Sequence, residues 1–199
     1  MALEGIDGAG TSTQAAALRR RFEARGEAIH ITAEPSGLAV GRLIRARLRQ
    51  VDHPPDPALM ALLFAADRVD HVRREIEPAR AQGKHVISDR YVLSSLVYQS
   101  LECPLEWVAE INRLAPPPDL TLLLRVPAEV AAERRAARGE ATEIYDALQT
   151  QRRLVDRYDE IAAARPDLRV QILDGTQPED VITDAIEALL APLIVGEPE

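Results

Sequence analysis

The residues best able to do chemistry stand at the very start of the chain, in Glu4-Gly5-Ile6-Asp7-Gly8-Ala9-Gly10-Thr11-Ser12-Thr13-Gln14. A short apolar segment, Met1-Ala2-Leu3, precedes them and reads as the end of a strand, while Ala15-Ala16-Ala17-Leu18 reads as a helix. A glycine-rich turn between strand and helix lets the backbone approach an anion. The free N–H groups at the helix start, with its macrodipole, favour negative charge there. Gly5 and Gly10 have the spacing of G-x-x-x-x-G-K-[ST], and Ser12 stands where a magnesium-binding hydroxyl belongs. Position 11 is threonine, not lysine. Taken alone, the turn therefore fits a plain structural bend as well as a phosphate cradle.

Three further groups could serve such a site. Phe64 and Arg68, four apart on one helix, suit either packing on a neighbouring helix or a cleft wall that stacks a flat ring. His85-Val86-Ile87-Ser88-Asp89 reads as a buried strand ending in an acid, at the place where open α/β sheets bind ligands, and Arg90-Tyr91 follow it. Ser94 with Tyr98, and Ser95 with Gln99, pair at i,i+4, so polar groups line the start of the next helix.

The elements that must position these residues alternate. A helix over 13–25 stops at Gly26, a strand over 28–32 follows, and an arginine-rich helix spans 38–48. Asp56 before Pro57 is an N-cap for a long helix reaching about Gln82, with Pro78 as a kink. On that helix Leu59, Leu62, Ala66, Val69 and Ile76 form the expected core stripe, with Met60, Phe64, Arg68 and His71 on nearly the opposite side. Later come helices over 104–114, 128–138 and 146–164, strands over 120–126 and 169–174, and a last helix through Leu190. Residues 140–142 read as a mobile link. Five strands alternating with helices predict an α/β fold with a mostly parallel sheet covered on both faces.

Composition narrows the class. The net charge of −8 and pI near 5.1 argue against nucleic-acid and membrane-surface partners. Lys84 is the only lysine, so a phosphate site must use arginine or backbone. Cys103, the single cysteine, fits a reducing compartment. The apolar run from Ala58 to Ala66 is far too short to span a bilayer, and no signal peptide is visible. The expectation is a soluble cytoplasmic protein.

With these pieces in order, the chain resembles the thymidylate kinases, nucleoside monophosphate kinases of the P-loop class. The matching segments are Glu4 to Gly10, Thr32 with Glu34-Pro35, Leu63 to Arg68, Asp89 to Ser95 with Tyr98-Gln99, Pro118 to Leu122, Arg134 through Gly139, and Asp174 to Pro178. They cover nearly the whole chain in the family's order. The resemblance implies transfer of the γ-phosphoryl group of ATP to dTMP with Mg²⁺. It implies a three-layer fold on a five-stranded parallel sheet, one kinase domain over 1–199 with a closing segment near 134–146, and a homodimer.

The resemblance also implies roles. Gly5 opens the loop, and the amides of Gly8, Ala9, Gly10, Thr11, Ser12 and Thr13 hold the β-phosphate. Ser12 and Asp89 belong to the metal site, and Asp7 reaches toward the sugar 3′-hydroxyl and the metal region. Arg90 holds the acceptor phosphate, and Arg134 and Arg138 belong to the closing segment. Glu34, Phe64, Arg68, Ser94, Ser95, Tyr98 and Gln99 form the dTMP pocket. There Phe64 stacks on thymine, Arg68 bonds its edge and Tyr98 crowds the 2′ side. Gln177 borders the adenine. A kinase for another deoxynucleoside monophosphate, or a nucleotide-binding relative without turnover, stands as the alternative.

Three positions depart from the family's pattern: Thr11 replaces the loop lysine, Ala33 an arginine before Glu-Pro, and Arg125 an acid at the end of the fourth strand. Two of these remove positive charge from the phosphate site. An arginine is therefore expected to stand in for the lysine. The candidates are Arg125, whose strand should run beside the first, or Arg134 and Arg138. Arg125 is equally readable as a surface residue paired with an acid such as Glu129.

Overall fold

A computed structural model describes residues 1–139 and 143–195. Residues 140–142, read above as a link, lie outside the described residues. Five strands form one sheet in the order β2-β3-β1-β4-β5, every neighbouring pair parallel. They are β1 (Ala2–Glu4), β2 (Ile29–Ala33), β3 (His85–Asp89), β4 (Thr121–Arg125) and β5 (Val170–Asp174). Each ends on the same edge, so the glycine turn, the 34–38 loop, Asp89-Arg90, Arg125 and Gly175 all emerge there. β4 does lie beside β1, with Ala2 opposite Thr121 and Glu4 opposite Leu123. Its first four residues are buried, as expected of a strand covered on both faces.

Helices α1 (Thr11–Ala24), α2 (Ala39–Leu48), α3 (Pro57–His71), α4 (Glu77–Ala81), α5 (Val92–Tyr98), α6 (Leu105–Ile111), α7 (Ala128–Arg138), α8 (Leu148–Ala164) and α9 (Glu179–Val195) complete the chain. The core runs through Leu3, Leu18, Phe22, Leu96, Leu122 and Ile186. A smaller cluster of Ile44, Leu48 and Met60, with Phe64 against it, joins α2 to α3. Asp56 caps α3 as expected, accepting the Leu59 amide at 3.0 Å.

The faces of α3 are the reverse of the sequence expectation. Leu59 is 42% exposed and Leu62 50%, and Ala66 is exposed too, whereas Met60, Arg68 and His71 are buried. Apolar periodicity finds an apolar stripe but not what covers it. The polar side is buried because most of its groups meet partners on the 34–36 loop. Asp67 takes the amide and hydroxyl of Ser36 at 2.7 and 2.6 Å, and Glu34 takes Arg68 at 2.6 Å and His71 at 3.1 Å. Ile76 nevertheless reaches the core. The helix passes through a π-helical turn at Val72–Ile76, directly before Pro78, and that turn shifts the phase of the stripe.

Candidate active site

The glycine turn is shaped by close packing. Gly8 has φ 93°, and a Cβ there would lie 2.4 Å from the carbonyl oxygen of Ala131 on α7. No other residue fits both the backbone angle and that contact. Arg134, one turn further along α7, donates to the carbonyls of Ala9 at 3.3 Å and Gly175 at 3.0 Å and reaches Gly8 O at 3.5 Å. Arg135 donates to the Asp7 carbonyl at 2.5 Å and pairs with Asp146 at 3.5 Å. Two guanidinium groups thus hold the loop's carbonyls, while of its amides that of Ala9 is given to the Ile6 carbonyl at 2.9 Å.

Two adjoining cavities open at this edge. The smaller, about 150 Å³, is lined by Asp7, Gly8, Gly10, Thr11, Ser12, Ala33, Asp89, Arg90 and Arg138, among others. The larger, about 230 Å³, takes in all eight residues expected around dTMP: Glu34, Phe64, Arg68, Arg90, Ser94, Ser95, Tyr98 and Gln99. Asp7, Glu34 and Arg90 line both, so the two form one crevice.

Arg90 is the hinge of that crevice. It pairs with Asp7 at 2.7 Å, donates to Ser94 Oγ at 3.1 Å and Tyr158 Oη at 3.4 Å, and lies over the Tyr98 ring at 5.1 Å. Burial works against its charge, but Asp7, with Tyr98 and Tyr158, holds its pKa well above the ordinary value. Its backbone takes the left-handed φ of 70°, a strain on the order of 1–3 kcal/mol for a residue with a Cβ. The turn is fixed by its amide on Leu3 O at 2.8 Å and by Ser88 Oγ on its carbonyl at 2.7 Å.

In the small cavity Ser12 Oγ donates to Asp89 Oδ2 at 2.5 Å. Two adjacent hard oxygens suit Mg²⁺, which takes few protein ligands and completes its shell with water and phosphate. Among the described residues no cluster of three or more His, Cys, Asp or Glu forms a fuller metal cage.

The large cavity carries a different signature. Arg68 Nε, Ser95 Oγ and Gln99 Oε1 are buried and have no hydrogen-bond partner among the described residues. Such groups are rare in folded proteins, because an unmade buried hydrogen bond costs on the order of 1–3 kcal/mol. The rest of the Arg68 guanidinium is held by Glu34, Asn112 and the Tyr91 carbonyl.

Gly5, Ala9, Thr13, Arg134 and Gln177 line neither cavity, and the Gln177 side chain donates to Asp174 at 2.7 Å. Arg125 is half exposed and grips Asp159, its Nε 3.0 Å from both oxygens and its Nη2 2.7 Å from one. The surface pair anticipated for it thus forms with Asp159, while Glu129 is taken by Arg152 at 2.7 Å. That leaves Arg138, of the two kinds of candidate, in the phosphate cavity.

Sequence reasoning overlooked Arg45, Arg49, Glu143 and Tyr145, which also line the large cavity. The signal for the first two was present, since Arg45 on α2 and Arg49 at its C-cap are four apart and share a face. Glu143 lies only three residues before Asp146 and carried no motif. Burial, then the charges of Asp7 and Asp146, push its pKa up.

A family model for thymidylate kinase matches residues 3–186. A probable thymidylate kinase of Pyrococcus abyssi is 41% identical over 199 residues, covering 98% of this chain and 96% of the relative. The thymidylate kinase of Thermomicrobium roseum is 38% identical over 197 residues, covering 96% and 93%. A putative thymidylate kinase of Treponema pallidum is 39% identical, covering 92% and 90%. With the crevice, the glycine turn and these matches across nearly its full length, the chain belongs to the thymidylate kinase family.

Proposed function

We propose that the protein transfers the γ-phosphoryl group of ATP to dTMP, giving dTDP and ADP. The observation that carries the choice of acceptor is the set of orphaned buried atoms on residues that line the large cavity. Thymine offers two carbonyl acceptors flanking an N3–H donor. Arg68 Nε can supply a donor, Gln99 Oε1 an acceptor and Ser95 either, beside the Phe64 ring as a stacking surface.

The small cavity takes the phosphates. The amides of Gly8, Gly10, Thr11 and Ser12, residues that line it, serve the donor's phosphate chain, and Arg90 sits at the junction where the acceptor phosphate enters. Arg138, at the end of α7, supplies the charge that Lys would carry at position 11. Ser12 and Asp89 would hold Mg²⁺, which when bound neutralises charge on the transferring group. The reaction needs alignment and charge stabilisation, not a covalent intermediate, so fixing Arg90 through Asp7 and Ser94 before substrate arrives is the chain's main contribution.

The exposed stripe of Leu59, Leu62 and Ala66 on α3 supports a homodimer. No helix among the described residues is long and apolar enough to cross a membrane. The single cysteine, Cys103, is free, which suits a reducing cytoplasm and one kinase domain without disulfides.

The test is turnover by the pure protein with ATP–Mg²⁺ and, separately, dTMP, dUMP, dCMP and dGMP. The expected result is the highest kcat/KM on dTMP. A preference for dCMP or dGMP would defeat the reading of the large cavity. Binding without turnover would defeat the reading of the small one.

A further inference from the structure

Glu4 closes β1 and is fully buried beneath the Arg90 turn. Its Oε1 accepts the Tyr91 amide at 2.9 Å. Its Oε2 accepts the Ser94 hydroxyl at 2.5 Å and stands 3.3 Å from the Tyr158 hydroxyl. Those same two hydroxyl oxygens are the ones 3.1 and 3.4 Å from Arg90 Nη1. A hydroxyl has one proton to give and two lone pairs to offer. With its proton directed to Glu4, Ser94 presents a lone pair to Arg90. Tyr158, whose proton has Ser94 Oγ (2.9 Å), the Gly5 carbonyl (3.1 Å) or Glu4 (3.3 Å) as acceptor, does the same.

We propose that Glu4 is a positioning residue for Arg90. Its ionised carboxylate orients the Ser94 and Tyr158 hydroxyls and pins the Tyr91 amide, so that the guanidinium stands ready for the acceptor phosphate. The proposal rests on the assignment of Arg90 to that phosphate made above. Burial raises the Glu4 pKa to about 7, opposed by the Ser94 hydrogen bond and the Arg90 charge. The ionisable groups around it are Arg90 on the β3–α5 turn, Tyr158 on α8 and Tyr98 on α5, with Asp7 beyond Arg90. Protonated on Oε2, Glu4 would present a donor where the Ser94 hydroxyl needs an acceptor, and Ser94 would have to turn its proton away from Glu4. Arg90 then loses its frame as pH falls through about 7.

The experiment compares kcat/KM for dTMP in the wild type and Glu4→Gln from about pH 5.5 to about pH 8.5, the range that brackets this ionisation. The second ionisation of the substrate phosphate, near about 6, is common to both proteins and cancels in their ratio. Glu4→Gln is expected to lower kcat/KM about tenfold at the alkaline end, the worth of one lost charged hydrogen bond, with near parity at the acid end. An equal loss at every pH, or no loss, would overturn the proposal. The combined Ser94→Ala/Tyr158→Phe variant provides an independent arm. It should itself lose the pH step near 7, and adding Glu4→Gln to it should change little, whereas additive losses count against the relay.

Thermal unfolding supplies a readout apart from activity. A carboxyl whose folded pKa is raised contributes stability below its unfolded value, and that contribution is lost as pH rises through the folded one. Glutamine does not titrate, so the melting temperature of Glu4→Gln relative to wild type should climb between about pH 5 and about pH 8. A flat difference would reject the titration. A wild type that never turns over dTMP would instead bring down the functional reading, and this proposal with it.

Discussion

The two halves of the crevice are built in opposite styles, one for the base and one for the phosphates on the reading proposed above. The base cavity is set for hydrogen bonding by vacancy: Arg68, Ser95 and Gln99 each keep a buried polar atom unpartnered. The phosphate cavity is set by pairing: Arg90 rests on Asp7, and Ser12 on Asp89. A neutral base offers little Coulomb energy, so unpartnered atoms supply selectivity by the cost of leaving them unmet. A phosphate would be trapped by bare cations, and a partner for each one keeps the empty site from being a strained cluster of charge. The same division explains how the loop lysine can be absent. On the reading proposed above, charge in the phosphate half comes from guanidinium groups on other elements, Arg90 and Arg138, so no single loop position has to provide it.

The largest test of this contrast falls on Arg90, which lines both cavities. Arg90→Ala should lower kcat/KM by on the order of 10³-fold, the loss of one preorganised charge at the transferring group. If only KM for dTMP rose while kcat held, Arg90 would belong to the base half alone. Next comes the pair Arg138→Ala and Arg125→Ala. The first should cost on the order of 10²-fold in kcat. The second, which breaks only an exposed ion pair with Asp159, should stay within about twofold, as surface pairs of this kind do. Equal losses in steady-state assays would erase the distinction between a cation in the cavity and one outside it.

The base half predicts a smaller and more selective effect. Gln99→Ala should lower kcat/KM for dTMP by about 10- to 100-fold while leaving the KM for ATP near its wild-type value. The sharper sign is specificity. Without the carbonyl facing N3–H, the ratio of dTMP to dCMP turnover should fall. An unchanged ratio would mean that the vacancy at Gln99 does not read the base.

Much of this site was legible in the sequence, and the limits are physical. Phe64 and Arg68 on α3, and Ser94, Ser95 and Tyr98 on α5 with Gln99 just beyond it, line one cavity because their spacing is helical and short-range, so motif order transmits geometry. Arg134 was expected with Arg138 because the family resemblance puts both in the closing segment. Its guanidinium instead goes to carbonyls of the glycine turn, acceptors that appear only once the turn is folded. Glu4 is an acid inside a central strand. Its meaning depends on Ser94 and Tyr158, 90 and 154 residues away, and no local pattern joins them. The inverted faces of α3 have the same cause: periodicity marked Leu59 and Leu62 as apolar, but only the pairs at Asp67 and Glu34 decide which face turns inward.

That inversion gives the smallest expected effect on the folded chain, and a control for both cavities. Leu62 is half exposed and lines neither of them. Leu62→Glu should therefore change the stability of a single chain by less than about 0.5 kcal/mol, as surface substitutions usually do. If a second copy covers this stripe, the substitution places a charge in an apolar interface with no counter-charge, and association should weaken sharply. Sedimentation across a concentration series reads the association, and urea unfolding of the dilute protein reads the chain's own stability. Loss of dimer with unchanged unfolding would place the apolar stripe at an interface between copies. A large drop in unfolding midpoint at concentrations where only monomer exists would mean that Leu62 supports its own chain. In that case the polar face of α3, not the apolar one, would need another account of why it is buried.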